Sequence, residues 1–119
     1  MRIEVSGNGV TVTQDLRAYA ARRLRFALGR FSSRVTRVRV RVADVNGPRG
    51  GIDVRCRIQV WGAGIDELVV TFLAVDYPTA INEAADRIGR MVARQLARVS
   101  DRHRGRGRRP RRLSEESGS

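Results

Sequence analysis

An alternation of valine and arginine constrains the fold of this chain more than any other feature. In residues 35–45 (VTRVRVRVADV), single arginines separate Val38, Val40 and Val42. A period of two over β-branched residues indicates a strand with one buried face and one wet face. Residues 52–60 (IDVRCRIQV) repeat the pattern after the glycine-rich segment NGPRGG, which is typical of a loop. Two neighbouring strands with arginines on the open face of a sheet are therefore predicted.

The remaining elements follow from their periodicity and end signals. Residues 2–6 alternate and stop at Gly-Asn-Gly, as a short strand does. Thr13 is a candidate N-cap for a helix over residues 14–31, and Asp76 caps a second helix expected to run to about residue 100. Residues 66–75 (DELVVTFLAV) form a further hydrophobic strand. The predicted order is β-α-β-β-β-α.

Both predicted helices carry one apolar stripe, which must be buried against another layer. The stripes consist of Leu16, Ala20, Leu24, Ala27 and Phe31 in the first helix, and of Ile81, Ala84, Ala85, Ile88, Val92, Leu96 and Val99 in the second. We therefore expect an α+β fold in which a four-stranded antiparallel meander carries both helices on one face.

The chain divides into two parts at about residue 100. Residues 1–100 hold seventeen arginines and nine acidic residues, and they are expected to form one folded domain. Residues 101–119 begin with DRHRGRGRRPRR, without apolar periodicity, and end in LSEESGS. This composition predicts a disordered basic tail with an acidic end.

The charge balance favours a polyanionic partner. The formal net charge is +12, and all 24 basic residues are arginines. A GC-rich genome accounts for arginine in place of lysine, but not for twice as many bases as acids. Nucleic acid is the leading candidate, ahead of an acidic membrane surface or an acidic protein.

Other functional classes find little support in the sequence. The one histidine, His103, lies in the expected tail, where a general base has no fixed position, and no nucleophile or phosphate-loop motif is present. A single cysteine, Cys56, excludes an internal disulfide and a cysteine-rich zinc site. We therefore expect no enzyme activity, cofactor, metal or small-molecule substrate. With neither a signal peptide nor a membrane span expected, the sequence indicates a cytoplasmic protein.

Arginine placement suggests where RNA binds. The second helix carries a row at spacings of three, four and four, opposite its apolar stripe: Arg87, Arg90, Arg94 and Arg98. A solvated helix face is the alternative, but such faces usually mix charges of both signs. The first helix adds Arg17, Arg22, Arg23 and Arg25. If both helices lie on one side of the sheet, their outer arginines border a common basic groove. The open-face arginines of the strands are the less favoured surface, since strands often carry charge to stay soluble.

Two segments carry a family resemblance. MRIEVSGNGVTVTQDLRAYAARRL at the start and VDYPTAINEAADRIGRMVARQL in the last helix resemble the ribosome hibernation-promoting factor and ribosome-associated inhibitor family, short form. The resemblance covers residues 1–100. Gly89 departs from it, since an acid or another helix former is usual there, and costs roughly 1 kcal/mol of helix propensity.

The resemblance implies a fold similar to double-stranded-RNA-binding domains and a site in the decoding region of the small ribosomal subunit. A protein bound there blocks messenger RNA and tRNA and inhibits translation in stationary phase or stress. The small subunit and its rRNA are the implied partners, and the chain is expected to be a monomer off the ribosome. A general structured-RNA-binding protein and a basic module for an acidic protein partner remain the alternatives.

Overall fold

The structure is a computed structural model that describes residues 1–45 and 53–107, with the backbone alone for residues 101–107. Its elements follow the predicted β-α-β-β-β-α order. They are β1 (Arg2–Asn8), α1 (Gln14–Leu28) with a 3-10 turn (Gly29–Phe31), β2 (Val35–Asp44), β3 (Val54–Gly62), β4 (Ile65–Ala74) and α2 (Tyr77–Gly107). The α+β class with two helices over a four-stranded sheet is confirmed.

The sheet is mixed, and the expected all-antiparallel meander is wrong at β1. The strand order is β1-β2-β3-β4, in which β2, β3 and β4 pair antiparallel while β1 pairs parallel with β2. The reason is α1, which connects β1 to β2. A helical crossover carries the chain back to the end of the sheet where β1 began, so β2 starts from that end and runs parallel.

Capping side chains begin both helices as expected. The backbone N–H of Leu16 donates to Thr13 Oγ1 at 3.1 Å, and that of Thr79 donates to Asp76 Oδ1 at 2.8 Å. These bonds satisfy donors that the first turn leaves without partners. The Thr79 backbone bond lowers the pKa of Asp76 below its usual range. The second helix then continues to Gly107, seven residues beyond its expected end.

The core lies between the sheet and the two helices. Val38, Val40 and Val42 are fully buried, as the alternation predicts, and the α2 stripe is buried from Ile81 to Leu96. In α1 the deepest side chains are Ala20, Leu24 and Leu28, whereas Ala27 and Phe31 are only partly buried. Cys56 lies in this core, where burial raises the pKa of its thiol to about 12. Ile52 and the NGPRGG loop fall outside the described residues.

Candidate nucleic-acid interface

The four arginines predicted on the second helix are all exposed on α2: Arg87, Arg90, Arg94 and Arg98. This set, hereafter the α2 row, lies opposite the buried Ile88 and Val92, as 100° per residue requires. Two acids of α2 are close to the row in sequence: Asp86 pairs with Arg23 on α1 at 3.0 Å, and the exposed Glu83 lies one helical turn before Arg87. Among side chains that the structure describes, no carboxylate lies within 4.0 Å of the row. The four charges are therefore available to a polyanion.

The α2 row extends over two sides of the helix: Arg87 and Arg98 lie on the β4 side, and Arg90 borders the first helix. The guanidinium of Arg87 lies over the Phe72 ring, 5.2 Å from its centre, and Arg98 lines a cavity beside Gly64 in the β3–β4 turn. A guanidinium on an aromatic face is held in place and still exposes its N–H groups. The row therefore covers the exposed surface of α2 between β4 and the first helix.

In the groove between the helices, where a common basic surface was expected, Arg30 of the turn after α1 and Arg90 of α2 lie at the border beside Asp86. The rest of the lining is apolar or small. The two helices approach closely, because a Cβ at Gly89 would lie 3.0 Å from the Ala27 carbonyl oxygen. This close approach explains why Gly89, which departs from the family resemblance, has no side chain. Only Arg90 of the α2 row reaches this groove.

The four α1 arginines that were predicted as RNA ligands fall into two pairs. Arg22 and Arg25 are exposed, and Arg22 lies over the Tyr19 ring at 5.7 Å. Arg17 is also exposed, but its Nη1 donates to the Val5 carbonyl oxygen of β1. Arg23 joins the two helices. The structure thus brings the α2 row together, holds Arg17 by one hydrogen bond to the sheet and commits the guanidinium of Arg23 to contacts within the domain.

Arg23 makes the most extensive polar contact between α1 and α2. Its Nε donates to Asn82 Oδ1 at 2.6 Å, and its Nη2 lies 3.0 Å from Asp86 Oδ1. Tyr19 donates its hydroxyl to the same Asn82 oxygen, also at 2.6 Å. The first-helix sequence alone gives no signal for this role, because the partners lie 59 and 63 residues away.

The open face of the sheet carries the strand arginines, as predicted, but in two unlike halves. In one half, hereafter the Glu4 half, Glu4 pairs with Arg2 at 3.4 Å and Arg37 at 3.0 Å, and Arg37 lies over Trp61. The hydrogen bond from Arg37 lowers the pKa of Glu4. The cationic half consists of Arg41, Arg55 and Arg57, which lie together near the C-terminal end of β2 and the N-terminal end of β3. The register in which β1, β2 and β3 pair produces this division, so it could not be predicted from the sequence.

The described residues show no arrangement for metal or membrane chemistry. They contain no cluster of three or more His, Cys, Asp or Glu side chains placed to hold a metal ion. Nor is any helix among the described residues long and apolar enough to cross a membrane. The side chain of His103 lies outside the described residues.

Comparison with protein families decides the identity of this domain. Residues 3–100 match the family model described as "Sigma 54 modulation protein / S30EA ribosomal protein". The chain belongs to this family. The match spans nearly the whole of the domain predicted from the sequence, and the resemblance to ribosome hibernation factors is thereby confirmed. Among curated proteins, none matches the chain at a significant level.

Two solved structures share the fold. One is the N-terminal domain of Thermus thermophilus Protein Y, with a TM-score of 0.67 and 23% sequence identity, over 79% of this chain and 98% of that one. The other is a ribosomal subunit interface protein from Coxiella burnetii, with a TM-score of 0.70 and 11% identity, over 82% of this chain and 99% of that one. At these identities the two likenesses establish the fold of this family member.

Proposed function

We propose that this S30EA-family protein binds the small ribosomal subunit in the cytoplasm and inhibits translation while ribosomes are idle. One observation carries the proposal: a chain of a ribosome-associated family exposes, on α2, four arginines without carboxylate partners among the described side chains. Like charges at helical spacing repel one another, so the row is costly unless an anion neutralises it. Ribosomal RNA is the polyanion that a ribosome offers.

Phosphate contact fits this surface better than base reading does. Only six residues of the chain are aromatic, and those near the arginines lie against guanidinium groups instead of forming an open stacking platform. RNA duplexes are recognised largely through their shape, their phosphates and their 2′-hydroxyls. A row of fixed guanidinium groups is suited to this, since each presents several N–H donors to phosphate oxygens.

The finer proposal places the domain in the decoding region, where it excludes messenger RNA and tRNA. It follows from the family resemblance and requires no enzyme activity, cofactor or dimerisation of the free protein. In this proposal the monomeric domain binds through the α2 row, with Arg22 and Arg25 of α1 as additional exposed cations.

Sedimentation with separated subunits tests the proposal. The protein should migrate with small subunits and whole ribosomes at moderate salt, and pre-binding of messenger RNA with initiator tRNA should displace it. Replacing Arg87 and Arg94 with glutamine should weaken this association by at least about tenfold, because two phosphate contacts are lost.

A matched control removes the same charge elsewhere. Arg2 and Arg30 are exposed and lie outside the α2 row, so their double replacement with glutamine should leave association within about twofold. Equal losses in the two variants would show that only net charge matters and would favour a general RNA-binding protein. A protein that remains at the top of the gradient even at low salt would refute ribosome binding altogether.

A further inference from the structure

The cationic half of the open sheet face is a second single-sign cluster, on the opposite side of the sheet from both helices. Arg41 and Arg57 are directly paired across the antiparallel strands β2 and β3, and Arg55 lies on the same face one pair further along. Arg41 and Arg57 are exposed. No carboxylate among the described side chains lies within 4.0 Å of any of the three.

This arrangement works against stability in the isolated domain. Like charges directly opposite each other on paired strands are destabilising. The Glu4 carboxylate of this face lies near Arg2, Arg37 and Arg39, and the Glu67 carboxylate accepts a hydrogen bond from Gln59. Neither carboxylate lies within 4.0 Å of Arg41, Arg55 or Arg57.

Protection against aggregation does not explain the cluster. Charges on strands guard sheet edges, where unpaired backbone groups invite another strand. The strands β2 and β3 are the two central strands of the sheet, and each has a neighbour on both sides. Solubility in general is served by mixed charges, as in the Glu4 half. A bound anion accounts for the cluster where these explanations do not.

The shape of the face suits an extended ligand. Arg41, Arg55 and Arg57 line a shallow cavity of about 340 Å³ together with Arg39, Asn8 and Gln59. Neighbouring strands are about 4.8 Å apart, so adjacent guanidinium groups can engage successive oxygens of one backbone. The amide side chain of Asn8 adds a donor and an acceptor, which suit a ribose 2′-hydroxyl.

We propose that the cationic half of the open face is a second RNA-binding site, which holds the phosphate backbone of an RNA segment other than the one on α2. The choice of RNA over an acidic protein rests on the ribosome as partner. Because the α2 row and the cationic half lie on opposite sides of the sheet, one short segment cannot contact both. The domain therefore bridges two RNA segments.

Titration with a fluorescently labelled RNA hairpin at several salt concentrations tests this site separately when Arg87 and Arg94 of the α2 row are already glutamine, so that the hairpin no longer binds there. Replacing Arg41 and Arg57 with glutamine should lower affinity at least tenfold at moderate salt. It should also reduce the slope of log affinity against log salt by about 1.4–1.8, since each phosphate contact contributes roughly 0.7–0.9. The lysine pair at the same positions should retain most of the affinity.

The matched control lies on the same face and removes the same charge. Arg2 and Arg37 flank Glu4, so replacing both with glutamine should change the salt slope little. Equal effects of the two glutamine pairs would overturn the proposal, because they would reflect net charge alone. Selective loss of binding to phosphatidylserine vesicles, with hairpin binding intact, would also overturn it.

Folding and ribosome binding are measured on the same variants. The melting temperature of the Arg41 and Arg57 glutamine variant should equal or exceed that of the original protein, because a like-charge pair has been removed. A lower value would mean that these arginines stabilise the fold and would overturn the proposal. If the original protein fails to sediment with ribosomes, the function proposed above fails, while the hairpin titration still decides whether this site binds RNA.

Discussion

Replacing Arg23 with alanine should destabilise the domain, whereas the same change at its neighbour Arg22 should not. Arg23 is largely buried, with 22% of its side chain exposed, and it joins α1 to Asn82 and Asp86 of α2. Arg22 is exposed and lies over the ring of Tyr19. The two residues therefore differ in structural role although they are adjacent in sequence.

The expected magnitude follows from the contacts that are lost. The charge-assisted bond to Asn82 contributes about 1.5 kcal/mol. The pair with Asp86, whose side chain is 48% exposed, adds no more than roughly 0.5 kcal/mol. Asn82 keeps its bond from Tyr19, so its oxygen is not left without a partner. The sum is about 2 kcal/mol, or roughly 10 °C in melting temperature for a domain of this size.

Urea and thermal unfolding measure this difference, with Arg22→Ala as the control that should stay within about 0.5 kcal/mol of the original protein. At a temperature where it is fully folded, the Arg23→Ala variant should still sediment with ribosomes. The reasoning would be refuted by the reverse pattern, in which Arg23→Ala keeps its stability but loses ribosome association. Arg23 would then be an RNA ligand, as the sequence first suggested.

Two further predictions concern backbone packing and capping. Gly62→Ala should lower the free energy of unfolding by roughly 1–3 kcal/mol, because the new Cβ would overlap the carbonyl oxygen of Arg34. The control is Gly29→Ala, whose Cβ would meet no atom within 4 Å, so this change should be neutral or stabilising. Equal unfolding midpoints for these two variants would contradict the close approach at Gly62. Asp76→Ala should lower stability near neutral pH, since the cap on Thr79 is lost. The pKa of Asp76 is lower in the folded protein than in the unfolded chain, where it is about 3.9. The carboxylate therefore contributes fully to the free energy of unfolding above the unfolded pKa, and this contribution is lost as the pH falls through the folded pKa. The difference in free energy of unfolding between the original protein and Asp76→Ala should therefore become smaller below about pH 4 in acid-unfolding curves. A difference that stays constant with pH would argue against this cap.

Local patterns in the sequence were enough to identify the elements and most of the core. The valine alternation of β2, the caps Thr13 and Asp76 and the apolar stripe of α2 each depend on residues close together in the chain. Periodicity and capping are local physical requirements, so they can be read without a partner element. The direction of β1 could not be read in the same way, because it depends on how α1 crosses the sheet.

For the arginines, sequence and tertiary structure each determined a different part of the result. Composition alone predicted a polyanionic partner, and helical phase alone predicted that the α2 row is a single surface. Only the tertiary structure decided which arginines are available to RNA. Arg23 reaches across to α2, Glu4 pairs with arginines in one half of the open face, and strand register leaves Arg41 opposite Arg57. Whether an arginine is free for RNA depends on acceptors that are distant in sequence, and folding alone brings those acceptors to it.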